Sequence, residues 1–351
     1  MDAPRRTLVV LFGGRSAEHD VSRVSASHVM RAADPSSYDV TGVAITRNGE
    51  WLRDPSLSFS GPSARDVPDV LTVSGEPVDP HSLAGGGTVF VPMLHGPMGE
   101  DGTVQGLLET MDVPFVGSGV LASAVCMDKG IAKRLLGAAG IPQARHTVVH
   151  ADEVSASTVD AIVADLGGDV FVKPANMGSS VGVSRVVGGT DALGACLTAA
   201  RYDSWIVIEE RVRGREIEVA VLGNRSPRAS VPGEITPARE FYDYADKYED
   251  GAAQLSVPAR LDPARADEVR ELALRAYSAL RCEGMARVDF FLEEDGRGFL
   301  CNEVNTIPGF TPISMFPRLW EASGLTQAQI VDELVSLALE RHTMRRRDTG
   351  R

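Results

Sequence analysis

Apolar and polar positions alternate along this chain in blocks whose period shifts from strand-like to helix-like and back. Thr7–Phe12 is β-rich, Gly13-Gly14 turns the chain, and Ser16 can cap a helix running through Ser22–Ala32. Val40–Ile45 and Thr88–Leu94 read as strands, followed by a helix over Thr103–Met111 and a strand at Val113–Val116. That alternation predicts a parallel sheet with covering helices. Residues 52–86 are rich in Pro, Ser, Asp and Gly and read as a surface excursion. A second block starts near Gly119. Asp128 caps a helix over Lys129–Ala139, which Gly140 and Pro142 stop. Strands at Val170–Lys173, Val183–Val187 and Trp205–Glu210 follow, with a helix near Ala192–Ala200. The third block has a strand at Glu216–Leu222, an irregular polar segment over Glu234–Ala253 and a helix at Pro263–Leu280. A hairpin over Met285–Asn305 and a last helix over Thr326–Arg341 complete it. The expected units are residues 1–120, 121–214 and 215–342, with a polar tail at 343–351.

A chain of 351 residues is too long for one core and fits two or three domains. The formal net charge of -13 argues against non-specific nucleic-acid binding, yet leaves room for local cations that hold a small anion. The four cysteines form no C-x-x-C pair, so they read as reduced core residues of a cytoplasmic protein. The apolar run Leu8–Phe12 is too short for a signal peptide or a membrane span. The basic stretch Arg341–Arg351 reads as a frayed tail.

The hairpin carries the first candidate chemistry. Side chains alternate across a strand, so Arg287 and Asp289 share a face, as do Glu303 and Asn305. Two carboxylates and an amide make an all-oxygen set suited to Mg²⁺, and Arg287 beside them can meet a phosphate or an oxyanion. An ordinary exposed polar face explains the same residues equally well. In a second motif, Lys173 ends a strand and a small-residue loop, Asn176–Gly182, follows it. Such a loop can fold over phosphates, but it is not a P-loop, because its lysine comes first; a plain flexible hairpin loop is the alternative. Glu209, Glu210 and Glu216 are placed to accept from an adenine amine and ribose hydroxyls, or are merely solvated acids at a strand edge. Gly13–Glu18 lacks a full dinucleotide fingerprint. Glu18 is placed to hold a substrate ammonium, or to serve as a helix-start acid. Phe241–Tyr248 is dense in aromatic and charged residues and reads as a packed loop, functional or structural.

Taken together these residues resemble one family. Gly13–Ser22, His95–Gly102, Met127-Asp128-Lys129, Lys173–Gly182, Phe241–Tyr248, Ala286–Asp289 and Asn302–Thr311 occur in the order found in D-alanine–D-alanine ligases of the ATP-grasp superfamily. The resemblance spans Leu8 to Arg341. It implies an α/β fold with an α+β C-terminal part, in three domains: a Rossmann-like parallel-sheet domain, then two ATP-grasp domains. It implies ATP and two Mg²⁺ (or Mn²⁺), with Asp289, Glu303 and Asn305 as metal ligands. Lys129, Lys173, Ser179 and Ser180 would meet phosphates. Glu209, Glu210, Val212, Glu216 and Asn302 would complete the nucleotide site. Glu18, Ser179 and Tyr248 would form a linking hydrogen-bond triad. Glu18 and His95 would serve the first D-alanine, and Lys247, Ser314 and Met315 the second. Arg287 and the Gly309 N–H would stabilise the oxyanion. The resemblance further implies a homodimer joined through the N-terminal domain, small-molecule substrates, no nucleic acid and no membrane. Relatives that make D-alanyl-D-lactate carry a histidine where this chain has Tyr248, so the tyrosine favours D-alanine as acceptor.

One departure sets a structural expectation. Asp289 and Glu303 are fourteen positions apart, one more than is usual in that family. A two-residue loop at Asp295-Gly296 would set Asp289 opposite Asn302 and turn Glu303 away. An odd loop, or a bulge near Gly298, is therefore expected to restore the pairing of Asp289 with Glu303.

Overall fold

The structure, a computed structural model, describes residues 5–60, 66–236 and 254–345. Among these residues three sheets form the frame. The first contains β1 (Arg6–Gly13), β2 (Tyr38–Ile45), β3 (Trp51–Ser60), β4 (Glu76–Pro77) and β5 (Thr88–Pro92), in the order β4-β3-β2-β1-β5. β1 pairs parallel with β2 and with β5. Its residues Leu8–Phe12 are all buried, as a central parallel strand requires. Leu8, Val10 and Phe12 share a core with Ala26, Val29 and Met30 of α1 (His19–Ala32). Val9 and Leu11 meet Val104 and Leu108 of α2 (Thr103–Thr110) on the other face.

Three local expectations change here. The excursion at residues 52–86 contains β3, which pairs antiparallel with β2 and makes the sheet mixed. Its period-two signal, Leu57 and Phe59, is real and buried, but Pro55 and three serines hide it. Pro55 is tolerated because the β2–β3 register shifts beside it, between Thr41 and Val43. The strand at Val113–Val116 shrinks to one bridge, Phe90 to Phe115. Ser16 does not cap α1, which starts at His19. Its hydroxyl instead donates to the His95 carbonyl at 2.6 Å and accepts the Glu18 N–H at 3.1 Å, tightening the turn.

The second sheet contains β6 (His146–His150), β7 (Val170–Pro174), β8 (Ser184–Val186) and β9 (Trp205–Glu210), all antiparallel in the order β6-β9-β7-β8. The helices here are α3 (Val120–Met127), α4 (Lys129–Ala138), α5 (Ala156–Asp165) and α6 (Ala192–Ala199). Asp128 caps α4 by accepting the Ile131 N–H at 2.9 Å, and Gly140 ends it with φ +67. α3, β6 and α5 have no counterpart in the sequence pattern. α3 is small and apolar on all sides, and β6 carries an imidazole at each end, so neither shows clean periodicity.

The third sheet runs β13-β12-β10-β14-β15, with β11 on β10. Its strands are β10 (Arg215–Leu222), β11 (Arg228–Ala229), β12 (Gly233–Thr236), β13 (Gln254–Ser256), β14 (Met285–Glu293) and β15 (Gly298–Asn305). α7 (Pro263–Ala279) covers one face, where Val269, Ala273 and Tyr277 meet Ile217, Val219, Val288 and Phe290. The opposite face carries the acids. α8 (Met315–Ala322) and α9 (Gln327–Arg345) complete the described chain. Of the expected irregular segment, residues 234–236 end β12, while Lys247 and Tyr248 lie outside the described residues. No described helix is long and apolar enough to cross a membrane.

The expected frayed tail is corrected for Arg341–Arg345, which continue α9. Arg341 is buried, donates to the Gly117 and Phe115 carbonyls at 2.7 and 2.8 Å, and stacks 3.9 Å from the Phe115 ring centre. Arg345 bonds Glu109 and Glu283, both at 2.6 Å. Helix α9 is thus pinned to the segment joining the first two sheets. Arg341→Ala orphans two carbonyls and removes a cation–π contact, so urea denaturation is expected to report a loss of about 3 kcal/mol.

Candidate active site

Register decides what the third sheet presents. β14 and β15 pair regularly from Glu293↔Gly298 to Phe290↔Cys301, and then Asp289 pairs with Glu303. Asn302 is the extra residue, a β-bulge. The expected pairing of Asp289 with Glu303 is present, but the bulge lies inside the cluster rather than near Gly298. The bulge restores parity, so Asp289 faces Glu303 and Arg287 faces Asn305. On β10, Glu218 stands opposite Asp289.

These groups bond to one another. Arg287 donates twice to Asp289, both at 2.7 Å, and lies 3.0 Å from Glu218. Asn305 Nδ2 donates to Asp289 at 3.0 Å. Burial pulls the Arg287 pKa down, but Asp289 and Glu218 outweigh it and hold it well above the ordinary value. Among the described residues no three carboxylate, imidazole or thiol groups converge as a metal site. Asp289, Glu303 and Asn305 supply two carboxylates and an amide. That donor set fits a hard divalent cation if phosphate or water oxygens complete the shell.

A second group of residues approaches from the other blocks. Lys129, the first residue of α4, donates to the Met177 carbonyl at 2.6 Å and lies 3.9 Å from Glu303. The Asn176–Gly182 loop is anchored by Asn176, whose N–H and Nδ2 both reach Asp203 at 2.8 Å. Ser179 and Ser180 take left-handed backbone, φ +48 and +59. Ser179 Oγ donates to Glu18 at 2.5 Å. A Cβ at Gly96 or Gly178 would fall 2.6 or 2.5 Å from Glu18 Oε2, so a side chain at either glycine would displace that carboxylate, and Gly96 also has left-handed backbone, φ +74. Beside it, Glu100 accepts the Gly96 N–H at 2.9 Å; burial and the nearby Glu18 charge hold its carboxyl well above the usual range.

The third group lies on the second sheet. Glu209 is 3% exposed and clamped by two lysines, Lys173 at 2.5 Å and Lys133 on its other oxygen. Burial would raise the Glu209 carboxyl, yet the two ammonium groups overcome it and push it down to about 2. Glu210 accepts from Arg145 N–H and Nε at 2.7 and 2.9 Å and from Arg297 at 2.5 Å. All three groups line one cleft of about 880 Å³, together with Val212, Glu216, Asn302, Gly309, Ser314 and Met315. A Cβ on Gly309 would fall 2.8 Å from Ser314 Oγ, which accepts the Thr311 N–H at 2.9 Å. His95 joins the cleft wall, with Nδ1 3.0 Å from the Ile307 carbonyl and Nε2 2.9 Å from Ser25 Oγ.

Two family models match the chain: the D-ala D-ala ligase N-terminus over residues 7–118 and the D-ala D-ala ligase C-terminus over residues 135–336. The chain belongs to the D-alanine–D-alanine ligase family. Curated relatives include D-alanine–D-alanine ligases of Geobacillus kaustophilus, 46% identical with 95% of this chain and 94% of that one covered, and of Geobacillus thermodenitrificans, 45% identical with 95% of each covered. Among solved structures, the D-alanine–D-alanine ligase of Coxiella burnetii is 34% identical with a TM-score of 0.82, covering 97% of this chain and 96% of that one. The VanG D-Ala:D-Ser ligase of Enterococcus faecalis is 32% identical with a TM-score of 0.80, covering 95% and 100%. The protein is a ligase of the ATP-dependent, three-domain ATP-grasp kind.

Within this ligase frame, every site residue expected from the sequence lines the one cleft except Lys247 and Tyr248, which lie outside the described residues. Sequence reasoning missed Lys133, Glu218, Glu100 and Ser25. Lys133 follows Lys129 by four positions on α4 and so shares its face, and Glu218 follows Glu216 by two on β10; both signals were present. The Glu209 clamp has a measurable consequence. A carboxyl held near 2 stabilises the fold fully above its unfolded value of about 4.5, and that contribution is lost as pH falls toward 2. Glu209→Gln is expected to be less stable at pH 6, yet to lose stability less steeply than the parent between pH 4.5 and 3, by up to about 1.4 kcal/mol per pH unit in urea titrations.

Proposed function

We propose that this ligase joins two D-alanine molecules to D-alanyl-D-alanine with ATP, through an acyl phosphate, for peptidoglycan precursor synthesis. The reading rests on the meeting, in one cleft, of the Asp289–Glu303–Asn305 donor set, the lysines Lys129 and Lys173, and the Glu18–Ser179 pair. A carboxylate is a poor electrophile, so it is first phosphorylated and then attacked by the second amine. Asp289, Glu303 and Asn305 would hold two Mg²⁺ (or Mn²⁺), which neutralise phosphate charge when bound. Lys129, Lys173 and Ser180 face the phosphates. The Asn176–Gly182 loop excludes water, which would otherwise hydrolyse the intermediate. Glu209 and Glu216 serve adenine and ribose, with Glu210, Val212 and Asn302 beside them. Lys173 reaches phosphate by sharing or leaving Glu209.

Glu18 holds the ammonium of the first D-alanine, with His95 behind it. Arg287 and the Gly309 N–H receive the oxyanion. Lys247, Ser314 and the Met315 backbone take the second carboxylate. Tyr248 completes a triad with Glu18 and Ser179 and favours an amine acceptor. The similarity to a D-Ala:D-Ser ligase raises a second reading, D-serine as acceptor. Residues 1–120, 121–214 and 215–342 act as three units, with residues 343–345 continuing α9 of the last. The enzyme works in the cytoplasm as a homodimer joined through its first unit.

ATP turnover with D-alanine, D-serine and D-lactate offered together, with products identified by mass, tests the reading. D-alanyl-D-alanine should dominate; phosphate release independent of D-alanine would overturn it. Glu303→Ala, with folding intact, is expected to lose at least about a hundredfold in turnover.

A further inference from the structure

The run Thr306–Thr311 leaves β15 and crosses the cleft floor. Every residue in it is buried except Gly309. Two side chains from the first block hold it from behind. His95 Nδ1 lies 3.0 Å from the Ile307 carbonyl. A carbonyl only accepts, so Nδ1 carries the hydrogen and the neutral ring's Nε2 must accept. Ser25 Oγ, 2.9 Å from Nε2, is therefore the donor there. The same oxygen accepts the Phe310 N–H at 3.2 Å. Three bonds of determined direction thus brace the loop on both sides of Pro308-Gly309. In front, the space for a Gly309 side chain is taken by Ser314 Oγ at 2.8 Å. Ser25 has no exposed surface and His95 is 5% exposed, so no water competes for this strap.

We propose that Ser25 and His95 are positioning residues that aim the Gly309 N–H at the developing oxyanion. The inference rests on the reading of Gly309 as an oxyanion donor. The strap bears on the second chemical step. There the amine of the second D-alanine forms the C–N bond and the carbonyl pair moves onto oxygen. That pair returns as the acyl–phosphate C–O bond breaks, phosphate departs and the ammonium sheds a proton to the medium. The first step, phosphoryl transfer to the carboxylate, builds no such oxyanion at the acyl carbon.

The two steps are separately readable. Scrambling of an ¹⁸O label between the bridge and non-bridge positions of ATP, dependent on D-alanine, reports reversible acyl-phosphate formation. Dipeptide release reports both steps. In Ser25→Ala, and in His95→Asn, which keeps a donor near the Nδ1 position, the ratio of dipeptide release to label exchange is expected to fall roughly tenfold. In the double variant the losses should not multiply, because both break the same Ser25–His95 bond. Equal loss of exchange and dipeptide release in folded single variants overturns the strap, as do losses that multiply. Unfolding midpoints by circular dichroism establish which variants are folded, and either single variant alone suffices. A parent enzyme without D-alanine-dependent exchange would overturn the acyl-phosphate reading itself. Parental exchange with an unchanged ratio in the variants would overturn only the strap.

Discussion

A β-strand shows successive side chains to opposite faces, and the lining of this cleft depends on that parity being right at two positions. Asp289 and Glu303 meet because Asn302 is bulged out between Cys301 and Glu303. Without the bulge, Glu303 and Asn305 would turn toward α7 and its apolar core, and Val304 would turn into the cleft. The bulge lies next to the acids. The turn at residues 294–297 is therefore uncoupled from them, and the register between Phe290↔Cys301 and Glu293↔Gly298 stays regular.

Around that cluster, charge is balanced locally in a chain with net charge -13. Asp289 has Arg287, Glu209 has Lys133 and Lys173, and Glu210 has Arg145 and Arg297. Each acid would be costly to bury alone, so each is held by a cation at hydrogen-bond distance. The outcome is a cleft that keeps acids ionised at one end and a raised Glu100 carboxyl at the other, with Glu18 between two glycines beside it. The two ends of the cavity thus have different electrostatic surroundings.

Much of this was legible in the residues because strand parity and capping are local. The hairpin at Met285–Asn305, the Asp128 cap and the lysine at the end of β7 all follow from spacing alone. The fourteen-residue separation of Asp289 and Glu303 called for an odd loop or a bulge, and the structure has a bulge at Asn302. Its position was not legible, since an extra residue can be absorbed anywhere along the hairpin. β3 was hidden by Pro55 and its serines; the register shift against β2 accommodates the proline. Ser25 gave no signal, because a serine on an apolar helix face looks like a small core residue until His95 and Phe310 arrive from far along the chain.

The long reach of those contacts bears on how the protein is made. Phe310 joins Ser25 across 285 positions, and Arg341 joins Phe115 across 226. A ribosome delivers β1 to β5 early, and that sheet can pair as soon as it emerges. α9 cannot dock on the first block until it has left the exit tunnel, since Arg341 and Arg345 pin it there. The strands of the first sheet are thus made long before Trp320, Ile330 and Leu334, which share their core.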